Sequence, residues 1–273
     1  MLPDLHSDGH IHTALCNHAT GTMEEYVIAA IDAKLHHMCF LEHMEEGIES
    51  RRITWLSEAD FDAYFTEGKR LQEKYKGSIS IGLGVEVGYN PERSQELVSR
   101  LSRRQWDRIG ISCHFHRLSP GSPHLNLVSK KAPQVFQLTR EEARKVEEWY
   151  YRSLLEAVTQ LPGTVLCHID AALRYHPDRS AIKPPYHLID TLLDAVKRKN
   201  IALEVNTSGM AVRGEVFPAR KIAAMALDKK IPLMAGSDAH SPEDVGIHFD
   251  KLAELLPNTT SLYETPFLRS SLR

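Results

Sequence analysis

Residues 5–13, LHSDGHIHT, place two histidines, His10 and His12, two positions apart at the end of a short run of strand character. Side chains alternate with period two along a strand, so both imidazoles point to the same face. The chain then changes period: Thr22-Met-Glu-Glu25 forms a capping box ahead of Val27, Ile28, Ile31 and Leu35 at helical spacing. A second apolar run at 38–43 ends on a further histidine, His43. Strand, helix, strand, with polar groups gathered where each strand ends, is the unit that the remaining sequence repeats.

Ser57 caps a helix carrying Phe61, Tyr64, Phe65 and Leu71 on one face, and a third strand follows at 79–87. A helix over 91–103 and a fourth strand over 108–114 come next. Thr139-Arg-Glu-Glu142 is a second capping box, opening a long helix with Val146, Trp149, Tyr150, Leu154 and Val158. Strands recur at 164–169, 201–206 and 231–236, with helices near 186–199, 218–229 and 242–256. Seven alternating strand and helix pairs predict an α/β fold with a parallel sheet, closed into a barrel rather than left open. No Gly-rich nucleotide fingerprint follows any strand, which weighs against the open doubly wound alternative. A long loop at 115–138, rich in Pro, Ser and Gly, is the length expected of a lid or binding loop.

At 273 residues the chain is long enough to bury a sizeable core in one domain. With 33 Lys+Arg against 36 Asp+Glu, net charge −3, there is no global attraction to nucleic acid or anionic lipid. The longest uncharged stretch, 157–169, is too short to span a bilayer and is broken by Pro162-Gly163. The first ten residues show no basic and apolar pattern of a secretory signal, and four cysteines without paired spacing suit a reducing compartment, so a cytoplasmic location is expected. No oligomeric state follows from the sequence.

The unusual count is 15 histidines, and their places are informative. A barrel positions its chemistry at the C-terminal ends of its strands. There the sequence sets His10, His12, His43, Glu86, His114, His168, Asp238 and His240, with His18 in the first loop. So many polar groups inside a barrel carry a large desolvation cost unless cations compensate it. Imidazole with carboxylate suits Zn, Fe or Mn, and nine donors imply two or three divalent ions. Such a centre is net positive, which favours an anionic substrate, and it lowers the pKa of bound water.

In this order the motifs HxH (His10, His12), His18, EH (Glu42, His43), GVE ending at Glu86, His114, His168 and GSDAH at 236–240 resemble the polymerase and histidinol phosphatase (PHP) superfamily. DGHIH at 8–12, HID followed by Arg174, EVNTSG at 204–209 and GSDAHSPEDVG at 236–246 are similar to its histidinol-phosphate phosphatase branch. The resemblance implies a single PHP-type domain over 1–273, a distorted seven-stranded (β/α)7 TIM-like barrel. It further implies that one ion takes His10, His12, Glu86 and Asp238, that a second shares Glu86 and adds His114 and His168, and that a third takes His18, His43 and His240. The implied activity is a phosphomonoesterase acting on L-histidinol phosphate by attack of a metal-bridging hydroxide, with Glu86, Asp238 and His240 in the catalytic centre.

Arg174 and Arg213, in loops after the fifth and sixth strands, are candidates to clamp phosphate, and Glu215 to meet a cationic part of the substrate. The expected partner is therefore a small phosphorylated metabolite, with neither membrane nor nucleic acid. Alternatives are another small phosphate ester or nucleotide, an amidohydrolase-type barrel that would dispense with His18, and a PHP interaction module without activity. His6 is expected at the opposite barrel end, and Cys16, Cys113 and Cys167 as small buried neighbours of the donors. Arg100, Arg103, Arg104 and Arg108 are expected to form a solvated face, and His116 and Arg117 either to reach the pocket or to be exposed.

Overall fold

Alternation along two neighbouring strands divides the protein into an inside and an outside. In the computed structural model, which describes residues 3–256, β1 is Ser7–Ile11 and β2 is His37–Met44. Met38 and Phe40 of β2 join the large apolar cluster shared with the helices, whereas Cys39 and Leu41 join a separate small cluster with Val165, Cys167 and Ala202. The small cluster fills the barrel interior. Next in the inward phase of β2 comes His43.

The chain continues through β3, Ser80–Gly88, and β4, Ile109–Ser112; then the short strands β5, Phe115–His116, and β6, Leu125–Asn126; then β7, Val165–Leu166, β8, Ala202–Asn206, and β9, Leu233–Gly236. Seven of these pair in parallel in the order β1-β2-β3-β4-β7-β8-β9. The ends of that sheet also meet: Ile11 bridges Ala239 in parallel, His12 N donates to Ala239 O at 3.0 Å and Asp238 N to His10 O at 2.9 Å. A barrel of seven parallel strands results, as expected from the alternation. Its domain was expected to span 1–273; residues 1–2 and 257–273 lie outside the described residues.

Helices α1, Met23–Asp32, α2, Glu58–Lys74, and α3, Ser94–Leu101, cover the first three strands, followed by α4, Pro133–Gln137, α5, Arg140–Gln160, α6, Tyr186–Arg198, α7, Gly209–Arg213, α8, Arg220–Asp228, and α9, Leu252–Leu255. The capping boxes at Thr22 and Thr139 form as read, and Ser57 makes a third with Asp60. Each satisfies backbone donors that the first helical turn leaves unpaired. Tyr64 of α2 is buried and donates to Phe40 O at 3.2 Å and Gly84 O at 3.0 Å, tying the helix to β2 and β3. Among the described residues no helix is long and apolar enough to cross a membrane.

Four local expectations are corrected. α1 buries Met23, Tyr26, Val27 and Ala30, so Ile28, a further turn of about 100° around the helix, is left 45% exposed. The 115–138 segment is built rather than loose: β5 and β6 form an antiparallel ribbon and α4 follows. It docks on the loop after β2, where Glu49 N donates to His124 Nδ1 at 3.0 Å and Arg117 to Glu49 at 3.2 Å. The expected helix at 242–256 breaks into 3-10 turns at Pro242–Asp244 and Phe249–Lys251 before α9, because His248 adopts a left-handed conformation (φ 62°). Arg213, expected in a loop, closes the short helix α7.

Candidate metal centre

The barrel floor of small and apolar side chains gives way, one pleat further on, to a ring of carboxylates and imidazoles. His10 lies within β1 and His12 just past it; His43 and Glu86 lie near the ends of β2 and β3; His114, His168 and Asp238 each stand two residues beyond β4, β7 and β9. His168 (φ 23°) and Asp238 (φ 56°) occupy the left-handed region, where residues other than glycine sit only when their surroundings over-determine them. Here the restraints are explicit. His168 N donates to Glu204 Oε2 at 2.8 Å, and Asp238 N to the His10 carbonyl.

Glu86 is the hub. Its Oε1 lies 2.7 Å from His168 Nε2 and 3.1 Å from His114 Nε2. Its Oε2 lies 2.8 Å from His43 Nδ1, 3.6 Å from His10 Nε2 and 3.7 Å from His12 Nε2. Asp238 Oδ1 faces the same pair of histidines, 3.7 Å from His10 Nε2 and 3.2 Å from His12 Nε2. The third expected group gathers less tightly. His18 and His240 bring their Nε2 atoms to 2.8 Å, while the His43 ring stands 5.2 Å from His18 and 6.2 Å from His240. His43 thus sits between the second and third groups, and it also stacks on His12 at 4.1 Å.

These donors fit divalent cations. His10 and His12 set their Nε2 atoms 3.0 Å apart, as His18 and His240 do at 2.8 Å, crowding nitrogens that a shared ion would bridge. Glu86 Oε2 and His43 Nδ1 are 2.8 Å apart but not aligned for a hydrogen bond, and both are buried without one. Leaving such atoms unmet in the interior costs free energy that metal coordination removes.

The electrostatics point the same way. Burial opposes charge on Glu86, yet His114, His10 and His43 hold it well below the usual carboxylate range. Asp238 behaves alike, with burial overridden by His10, His12 and His240. Burial and the neighbouring His12 drive His43 well down and His240 down to about 3, so both stay neutral lone-pair donors. At His114 burial opposes the proton, but Glu86 and Glu45 push the ring up to about 10, so a cation binding Nε2 there must displace a proton.

Of the expected substrate-binding residues, Arg213 Nη1 donates to Asp170 Oδ2 at 3.0 Å, and Arg174 Nε to Val128 O at 2.8 Å. Both guanidinium groups lie over the ring of Phe217, at 4.1 and 5.8 Å. The start of α7 lies beside the centre, with Ser208 Oγ donating to Asn206 Oδ1 at 2.6 Å and standing 3.4 Å from Asp238 Oδ2. Glu215 is half exposed and lies 3.5 Å from Arg213 Nε. His6 is exposed and faces His36 at 5.9 Å, at the start of β1 and away from the centre. Cys16, Cys113 and Cys167 are free and buried as expected. His116 is half buried and stacks on Trp149 at 3.8 Å.

The arginine run is not a solvated face. Arg100 and Arg104 turn inward onto Glu46, Glu58 and Asp62, Arg108 donates to Gly9 O, and Arg103 alone of the four is open to solvent. The sequence reading gave no role to four buried carboxylates: Glu204 and Glu45, bonded to His10 and His114, Glu42, which accepts from Thr13 N at 2.7 Å, and Asp8. Asp8 accepts from His10 N at 3.2 Å and Ser237 N at 3.0 Å, locking β1 to β9. The signal for Glu204, Glu42 and Asp8 was their place in EVNTSG, EH and DGHIH; Glu45 had none.

A family profile described as PHP domain matches residues 8–208. This chain belongs to the PHP domain family. The domain is 29% identical over 245 residues to a Deinococcus radiodurans protein named "Probable histidinol-phosphatase", covering 89% of each chain. It is 26% identical over 263 residues to the Bacillus subtilis histidinol-phosphatase, covering 90% of this chain and 98% of that one. Among solved structures, hisK from Listeria monocytogenes superposes with a TM-score of 0.78 at 21% identity, over 90% of this chain and 99% of that one. The Lactococcus lactis histidinol phosphate phosphatase, solved with Zn, L-histidinol and phosphate, superposes with a TM-score of 0.73 at 19% identity, over 92% of each. The PHP barrel read from the sequence is the fold observed.

Proposed function

We propose that this PHP domain is a metal-dependent phosphomonoesterase that hydrolyses L-histidinol phosphate to L-histidinol and phosphate, a step in histidine biosynthesis. The observation that carries the reading is the convergence of five histidines on Glu86, with Asp238 against two of them. Two curated relatives that match about nine-tenths of the chain bear the name histidinol-phosphatase, which selects the ester.

In this reading His10, His12, Glu86 and Asp238 would hold one ion; Glu86, His114 and His168 a second; His18, His43 and His240 a third. Zn, Fe or Mn would suit the donors, and bound there would supply Lewis acidity and a water of lowered pKa. Glu86 and Asp238 would balance the ions' charge, and His240, the partly exposed donor, would close the set on the open side of the centre. Arg174 and Arg213 bind the non-bridging oxygens of the phosphate, aligned by their shared packing on Phe217. Glu215 meets the substrate amine.

Arg100, Arg104 and Arg108 are engaged within the protein, so this run offers no free basic face to a polynucleotide, which supports a small metabolite as partner. Free, buried cysteines support a reducing, cytoplasmic setting. The test is phosphate release from histidinol phosphate beside a panel of nucleotides and sugar phosphates. A clear excess of kcat/KM for histidinol phosphate is expected; a preference for another ester would retain the metal chemistry and overturn the substrate.

A further inference from the structure

The proposed ligands differ in what holds their far ring nitrogen, and those of His12 and His168 are buried without a hydrogen-bond partner. His10 Nδ1 is bonded to Glu204 Oε1 at 2.6 Å, and His114 Nδ1 to Glu45 Oε1 at 2.7 Å. A carboxylate accepts only, so each ring carries a proton on Nδ1, and Nε2 is the nitrogen left to face the centre. His18 and His240 lack this support. Their Nδ1 atoms meet the backbone carbonyls of Cys16 at 2.9 Å and Asp238 at 2.8 Å. They are also the most open donors: His240 is 31% exposed, against 1% for His10 and 6% for His114.

Both outer carboxylates occupy space that the barrel leaves for them. A Cβ on Gly236 would strike Glu204 Oε1 and lie 2.8 Å from His10 Cβ, and a Cβ on Gly88 would strike the Glu45 carboxylate. Glu204 is further fixed by Asn206 Nδ2, which donates to Oε2 at 3.1 Å, and by His168 N. On the third group the nearest carboxylate oxygen to His240 is Asp238 Oδ1, 3.7 Å from Nδ1 and so on the ring's far side from Nε2. The Cys16 sulfur lies within 4.8 Å of a His18 and a His240 nitrogen.

We propose that Glu204 and Glu45 are positioning residues that hold His10 and His114 for two tightly bound ions, and that the ion of His18, His43 and His240 is the exchangeable one. The inference rests on the three-ion reading above. A carboxylate behind a ligating imidazole raises its basicity and fixes its orientation, and loss of such a partner costs roughly 10–100-fold in metal affinity. The carbonyls behind His18 and His240 orient these rings but bring no net charge, and the water that reaches both side chains competes for their ion.

The experiment is a graded chelator titration of the zinc-loaded protein, counting bound ions by native mass spectrometry, for the unmodified chain and for Glu204→Gln, Glu45→Gln and His18→Ala. The expected result is loss of one ion at low chelator strength and of two at high strength. Each Gln variant should shift the tight step by roughly 10–100-fold and leave the weak step in place, while His18→Ala removes the weak step alone. Loss of all three ions together, or Gln variants with an unshifted tight step, would overturn the proposal. Should Glu204→Gln fail to fold, Glu45→Gln and the order of loss in the unmodified chain decide. Saturation at fewer than three ions would instead defeat the three-ion reading.

Discussion

Glu86→Gln preserves the side chain's size and removes its charge at the point where two ion positions meet. The Glu86 oxygens lie between 2.7 and 3.7 Å from the Nε2 atoms of His10, His12, His114 and His168, the histidines of the first two ions. A cation shared by one of those nitrogens and the carboxylate sits within about 4 Å of the carboxylate, where each unit of the cation's charge is worth about 4 kcal/mol at an effective dielectric constant near 20. One unit of that charge already corresponds to about a thousandfold in affinity, a lower bound for each of the two divalent ions. Dialysis against buffered free zinc, followed by plasma-emission analysis, measures the occupancy directly. The variant should need at least about a thousandfold more free zinc to fill two positions, with the third little changed, and its phosphatase rate should fall in step. Zinc binding at all positions within tenfold of the unmodified protein would refute the assignment of Glu86 as the shared ligand.

Three further outcomes follow from other residues. His18→Ala should lose activity by tenfold or more, a rough figure taken from disturbed metal shells, whereas an amidohydrolase-type centre would leave kcat/KM unchanged. Arg213→Ala should raise KM for histidinol phosphate and weaken inhibition by inorganic phosphate, each by roughly 10–100-fold, the value of a charge-assisted hydrogen bond of about 1.5–3 kcal/mol; unaltered phosphate inhibition would remove it from the clamp. Glu147 is buried, and burial outweighs the Arg179 guanidinium to push its carboxyl from 4.5 up to about 7. The folded protein then holds this proton more firmly than the unfolded chain, so the contribution is full below pH 4.5 and is lost as pH rises through about 7. The loss amounts to about 3 kcal/mol. Urea denaturation from pH 4.5 to 8 should show that decline in the unmodified protein and a flatter profile in Glu147→Gln; identical profiles would contradict it.

What could be read from the sequence was whatever repeats locally. Period two at His10 and His12 and the capping boxes at Thr22 and Thr139 are written in neighbouring residues, and the strands ending in histidine or carboxylate lie in plain order. Long-range pairing left no such trace. Glu45 stands in a run with Glu46 and Glu49, and nothing local distinguishes it; its partner His114 is 69 residues away. Glu204 meets His10 across 194 residues, over the closing seam of the barrel. Arg100 and Arg104 read as surface residues because Glu58, which draws them inward, lies 42 and 46 residues upstream. The ribbon of β5 and β6 has strands of two residues each, too short for alternation to register.

The central claim is that bound cations on this ring of histidines and carboxylates hydrolyse histidinol phosphate. The most direct measurement is phosphate release from that ester by one protein sample, assayed as purified, after chelation, and after zinc or manganese is restored. Activity that vanishes with the ions and returns in proportion to the ions rebound is the predicted result. Activity that survives complete removal of metal, or no release of phosphate from the fully loaded protein, would contradict the account.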